Sequence, residues 1–180
     1  MRKTNFFRIS VNIDPAVRQF LFSLFPCDEG ACNLTKSRYY FLVTQMLAHS
    51  RIAHPSRVPK VYDTFVPCTL LITEYDFYHY GWMVPPLQQY NFSRLLLSDI
   101  MEDLCMKTAL LTLSLGVPQS NAMQAVLEEK SFSSISFDRL RKYYYRKFRQ
   151  KEAEIDSLIK KIYGQKRTNL KKTMKNGRSA

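Results

Sequence analysis

Between Asn5 and Asp14 apolar and polar residues alternate. Phe7, Ile9, Val11 and Ile13 fall on one side, and Phe6, Arg8, Ser10 and Asn12 on the other, which is the two-residue period of a half-buried strand. Asp14-Pro15 follows, a side chain suited to cap a helix and a residue suited to its first turn. Val17, Phe20, Leu21 and Leu24 then recur at helical spacing up to Pro26. A loop through Gly30 leads to Asn33-Leu34-Thr35-Lys36-Ser37-Arg38, where a second helix is predicted to start. It should run to about Ser50 and bury Leu42, Val43, Met46 and Leu47.

Residues 51–64 read as a connector, after which the pattern restarts. Val66, Cys68, Leu70 and Ile72 alternate with Pro67, Thr69, Leu71 and Thr73. A short helix from Glu74 to Tyr80 stops at Gly81, and a long one opens at Pro85-Pro86 and runs through Ser93-Arg94 toward Leu115. The two strand–helix–helix stretches align at an offset of 59 in the strands and 56 in the second helices, which suggests an internal duplication spanning 1–50 and 61–105. Beyond Gly116 a short helix is expected over Pro118–Lys130, with Ala122, Met123, Val126 and Leu127 on one face. Ser136 then caps a longer helix carrying Leu140, Tyr144, Phe148, Ile155, Leu158, Ile159 and Ile162 at near-heptad spacing. The domain reading is a body over 1–105, a helical extension over 106–164 and a disordered basic tail over 165–180.

Charge sharpens this division. The chain has 180 residues and a net charge of +12; of its 27 Lys and Arg, 15 lie from Arg139 onward, against three of its 15 acids. Residues 1–138 therefore carry equal numbers of each sign, and the whole excess sits at the end, as an electrostatic footprint for a polyanion would. No apolar run is long enough for a membrane span, and the first residues lack the apolar stretch of a signal peptide, so a cytoplasmic protein is expected. Cys27, Cys32, Cys68 and Cys105 form no Cys-x-x-Cys framework and read as small core residues. A zinc site on Cys27, Cys32 and a His is the alternative.

The segment Phe7-Arg8-Ile9-Ser10-Val11-Asn12-Ile13-Asp14-Pro15, followed by a helix, a Gly-containing loop and Leu34-Thr35-Lys36-Ser37-Arg38, resembles a ribbon-helix-helix DNA-binding protein. The resemblance implies a mainly helical fold with a short two-stranded antiparallel ribbon, here a pseudo-dimer within one chain, plus a C-terminal helical extension. It places Arg8, Ser10 and Asn12 at base-reading positions, chemistry that suits Arg on guanine and Asn on adenine. Thr35, Lys36 and Ser37 would then meet a phosphate at the start of the second helix. The second strand departs from the pattern, with Pro67, Leu71 and two Thr in place of basic readers.

A second candidate contact lies on Arg139–Lys151, where Lys142, Arg146 and Arg149 share a helical stripe flanked by Arg139 and Lys147, with Tyr143 and Tyr145 able to reach phosphates or stack on bases. With the segment before it, this is similar to a helix-turn-helix variant. Catalytic alternatives find no footing: there is no Gly-x-x-x-x-Gly-Lys loop and no His-hydrophobe-His pair among His49, His54 and His79, and no cofactor is implied. The expectation is a non-enzymatic, nucleoid-associated protein that binds double-stranded DNA with some sequence preference, as a regulator or an accessory protein of a phage or mobile element, and that could form homo-oligomers. The alternatives are RNA binding through the Tyr/Arg helix and a structural or assembly component of a phage-like particle whose basic tail meets nucleic acid or an acidic partner.

Overall fold

A computed structural model describes residues 5–49, 58–129 and 134–161. The alternating segment forms strand β1 (Phe6–Ile13), with Ile9, Val11 and Ile13 buried and Arg8 and Ser10 exposed. Helix α1 (Pro15–Leu24) starts where its sequence directs, the Asp14 carboxylate accepting from the Ala16 N–H at 2.9 Å. It buries Ala16, Val17 and Leu21, while Leu24 is exposed. Two short strands follow, β2 (Cys27–Asp28) and β3 (Ala31–Asn33), and then helix α2 (Arg38–Met46), which buries Tyr39, Val43, Thr44 and Met46. A 3-10 turn (Lys60–Thr64) precedes β4 (Val66–Thr73), α3 (Glu74–Tyr80) and the 30-residue α4 (Pro86–Leu115). The chain continues through α5 (Gln119–Glu129), α6 (Phe137–Tyr143), a π-helical turn (Tyr144–Phe148) and a further helical stretch over residues 149–161. The proposed basic tail and the connector's residues 51–57 lie outside the described residues.

β1 and β4 pair antiparallel along their full length, from Phe6 opposite Thr73 to Ile13 opposite Val66. The two-stranded ribbon is nevertheless wrong. The sheet has four strands in the order β1-β4-β3-β2, with β3 parallel to β4 and antiparallel to β2, so the pseudo-dimeric ribbon-helix-helix architecture is replaced by a mixed sheet with helices. Two local features cause this. Glu29 and Gly30 both adopt positive φ, 45° and 76°, the requirement of a two-residue hairpin turn, so the expected loop folds back into β2–β3. β4, in turn, is an interior strand: Leu70, Leu71 and Ile72 are all buried, a continuous apolar run of the kind a strand paired on both edges carries.

β1 forms one edge of the sheet and β2 the other, and α4 closes part of the β1 edge. Gln89 Oε1 accepts from the Asn12 backbone N–H at 2.7 Å, and Ser93 Oγ accepts from the Asp14 N–H at 2.8 Å. Gln89 and Ser93 are one helical turn apart and buried, because each satisfies a main-chain donor that would otherwise be stranded. α3 is capped by Thr73, whose hydroxyl accepts from the Asp76 N–H and donates to the Asp76 carboxylate, which also receives the Tyr40 hydroxyl. Gly81 ends it with φ at 107°, and a Cβ there would fall 2.2 Å from the Ala48 carbonyl carbon; only glycine lets Met83 bridge to Ala48.

The described residues separate into two compact units, one running to Ile100 and including Ser134, the other from Met101 onward. Among the described residues no helix is long and apolar enough to cross a membrane.

Candidate nucleic-acid interface

The basic helix of the second unit is built on an apolar row. Leu140, Tyr144 and Phe148 are 0%, 0% and 2% exposed. In a regular α-helix residues spaced by four drift about 40° around the axis at each step. The π-helical turn over Tyr144–Phe148 takes in an extra residue, which removes much of that drift and keeps Phe148 in line with Leu140. The Arg149 N–H bonding to the Tyr144 carbonyl, five residues back, marks the widened turn. Start and charge follow the sequence: Ser136 Oγ accepts from the Arg139 N–H at 3.2 Å, and Asp138 lies in the first turn.

The opposite side is a cationic face. Arg141, Lys142, Arg146 and Lys147 are exposed and have no carboxylate partner among the described residues. Asp138, Arg141, Lys142, Tyr145 and Arg146 line one shallow open groove. Tyr145, 47% exposed, is held in place at both ends: its hydroxyl donates to Gln119 Oε1 at 2.8 Å, and the Arg149 guanidinium lies 6.0 Å from its ring centroid. Beyond Arg149, Lys151 pairs with Glu102 at 3.3 Å and Lys160 with Asp156 at 2.6 Å. Arg139 and Tyr143 are half-buried and already engaged. Arg141 is the member that the sequence reading did not rank; its alignment with Tyr145 and Arg146 depends on the widened turn, for which the sequence carries no local signal.

The strand candidates sit differently. Arg8 is exposed but forms an ion pair with Glu29 at 2.5 Å, and Ser10 is exposed. Asn12 is half-buried; its Nδ2 donates to the Tyr62 hydroxyl at 3.2 Å, and that hydroxyl donates to Gln89 Oε1 at 2.8 Å. Thr35 turns inward, its N–H and hydroxyl both donating to Asn33 Oδ1 at 3.1 and 2.7 Å, a local turn typical of Asn. Lys36 is exposed, and Ser37 precedes α2 without a side-chain capping bond. Arg8, Ser10 and Asn12 therefore share one strand face, but only Ser10 among them keeps its side chain clear of a partner. Among the described residues no group of His, Cys, Asp or Glu is placed to hold a metal ion, and Cys27 and Cys32 have no third ligand. No family model, curated protein or solved structure matches the chain.

Proposed function

We propose that this chain binds nucleic acid, double-stranded DNA in the first instance, through phosphate contacts from the helix that begins at Phe137. The observation that carries the reading is the set Arg141, Lys142, Arg146 and Lys147, exposed and without acidic partners among the described residues, on a helix fixed from behind by Leu140, Tyr144 and Phe148. An anchored helix presents its cations without paying the full ordering entropy on binding, and guanidinium groups suit phosphate oxygens. Six further Lys and Arg between residues 165 and 180 add charge of the same sign. Contacts of this kind orient a protein on a duplex and raise its affinity without reading sequence. With Arg8 paired and Asn12 engaged, little supports base reading by β1, and the reading narrows to sequence-independent attachment, with the nucleoid as the matching location.

The test is a salt titration of binding to an unrelated-sequence duplex, a single strand and an acidic polypeptide. Four phosphate contacts correspond to a log–log slope of about −3.6 on duplex DNA, or about a 100-fold loss between 50 and 200 mM salt. Replacing Arg141, Lys142, Arg146 and Lys147 together by Gln should remove most of that slope. Tighter binding to the acidic polypeptide than to either nucleic acid would overturn the reading in favour of an assembly partner, and preference for the single strand would move it to RNA or unpaired DNA.

A further inference from the structure

Cys27 and Cys32 stand directly opposite each other across the β2–β3 hairpin. Asp28 and Ala31 close the two-residue turn, and one pair further out Asn33 donates its N–H to the Pro26 carbonyl at 2.9 Å. Bonded and non-bonded pairs alternate along an antiparallel ladder, so Cys27 and Cys32 occupy the non-bonded position between them. Cα atoms there approach to about 4.5 Å, within the roughly 4.4–6.8 Å that a disulfide spans. Directly opposed residues of a ladder carry their side chains on the same face of the sheet; Cys27 Sγ donates to the Phe25 carbonyl at 3.4 Å and Cys32 Sγ to the Leu21 carbonyl at 3.5 Å. Both are free thiols; Cys27 is exposed and Cys32 is buried.

We propose that Cys27 and Cys32 are a reversible redox site, closed to a disulfide by a low-molecular-weight disulfide such as oxidised glutathione. The exposed Cys27 thiolate attacks one sulfur of the small disulfide, forming a mixed disulfide and releasing one small thiol. Cys32 then gives up its proton to solvent and attacks the Cys27 sulfur, which displaces the second small thiol. Two protein thiols are oxidised, one small disulfide is reduced to two thiols, and no other reactant is needed. The order of events follows from burial. Desolvation, reinforced by the neighbouring Cys27, pushes the Cys32 thiol up to about 12, so Cys32 resolves rather than initiates. Cys68 lies nearby, but the residue directly beside Cys32 on β4 is Leu70, and Cys68 is itself buried, its thiol also raised to about 12 by desolvation. The loop closed is short, so the bond adds little chain-entropy stabilisation. Its effect is local, stiffening the hairpin whose Glu29 holds Arg8.

Trypsin cuts after Arg18 and Lys36, which leaves both cysteines in one peptide, residues 19–36. The full chain is incubated with oxidised glutathione, its remaining thiols are alkylated, and it is digested without reductant. Reactive thiols should fall from the four free cysteines to two, with peptide 19–36 two hydrogen atoms lighter and joined to no other peptide. In Cys27→Ser, a change at an exposed site, Cys32 should stay reduced; in Cys32→Ser the reaction should stop at a glutathione adduct on Cys27. A stable adduct on Cys27 in the unsubstituted chain, a link to the Cys68 or Cys105 peptide, or equal modification of Cys32 in Cys27→Ser would each overturn the proposal.

Discussion

The sheet with its helices and the basic helix that begins at Phe137 treat surface cations in opposite ways. In the first, Arg8 meets Glu29 and Arg38 meets Asp99, and polar side chains such as Asn12, Gln89 and Ser93 hold strand, edge and helix together. In the second, Arg141, Lys142, Arg146 and Lys147 are exposed without an ion pair among the described residues, while the structural work behind them is left to Leu140, Tyr144 and Phe148. Residues of the same type thus differ in availability according to their neighbours. A sequence pattern ranks Arg8 and Arg146 alike; only three-dimensional surroundings separate a cation that is already matched from one that is free.

The contrast can be broken most severely at Phe148. Phe148→Ala should destabilise the second unit by about 3–5 kcal/mol and weaken DNA binding with it, read by chemical denaturation alongside a binding titration. Unchanged affinity would mean that the cations need no rigid support. In the first unit Gln89→Leu strands the Asn12 N–H and should cost about 1–3 kcal/mol, with DNA affinity preserved wherever the protein stays folded. A parallel loss of affinity would erase the distinction between the units.

A smaller effect is expected at Tyr144, whose buried hydroxyl lies near Glu152 and Gln119 without forming a well-aligned hydrogen bond to either. Tyr144→Phe should be neutral or stabilising by up to about 1 kcal/mol. Burial foremost pushes that phenol above its usual range. The unfolded chain therefore releases the proton near pH 10 while the folded chain keeps it, so stability falls as pH rises from there, by up to about 1.4 kcal/mol per pH unit for this group. The Phe variant should show a shallower alkaline decline in its denaturation midpoint. The smallest effect belongs to Arg8→Ala: an exposed ion pair contributes about 0–1 kcal/mol, and affinity for duplex DNA should shift less than about twofold, since its charge is already matched. A tenfold loss would restore β1 as a contact surface.

Much of the helical frame is legible in the sequence because its signals are local. Asp14-Pro15 starts α1, Gly81 ends α3, and Ser136 starts α6. β1 is equally plain, since one of its faces is buried and the other is not. The sheet is not, for two reasons. β2 and β3 have two and three residues, too few to establish a period, and their turn is Glu-Gly rather than the more familiar Asn-Gly. In β4 the alternation seen in the sequence breaks down because Leu71 is buried along with Leu70 and Ile72. At the site, the cations of the basic helix can be counted from sequence, but their grouping depends on a widened turn set by how Tyr144 and Phe148 pack. The pairing of Arg8 with Glu29 depends on strand order across the sheet, which no local window contains.

The pairing of Phe6 with Thr73 and Ile13 with Val66 also sets a timetable for synthesis. At about 5–20 residues per second, β1 leaves the ribosome several seconds before the strand it pairs with has been made. Throughout that interval Phe7, Ile9, Val11 and Ile13 form an apolar row with no β4 to lie beside, the state in which a nascent strand is most open to pairing with a neighbouring chain. The charge of Arg8 within that row's strand is then a safeguard during translation, before Glu29 and the hairpin turn have come into place to meet it.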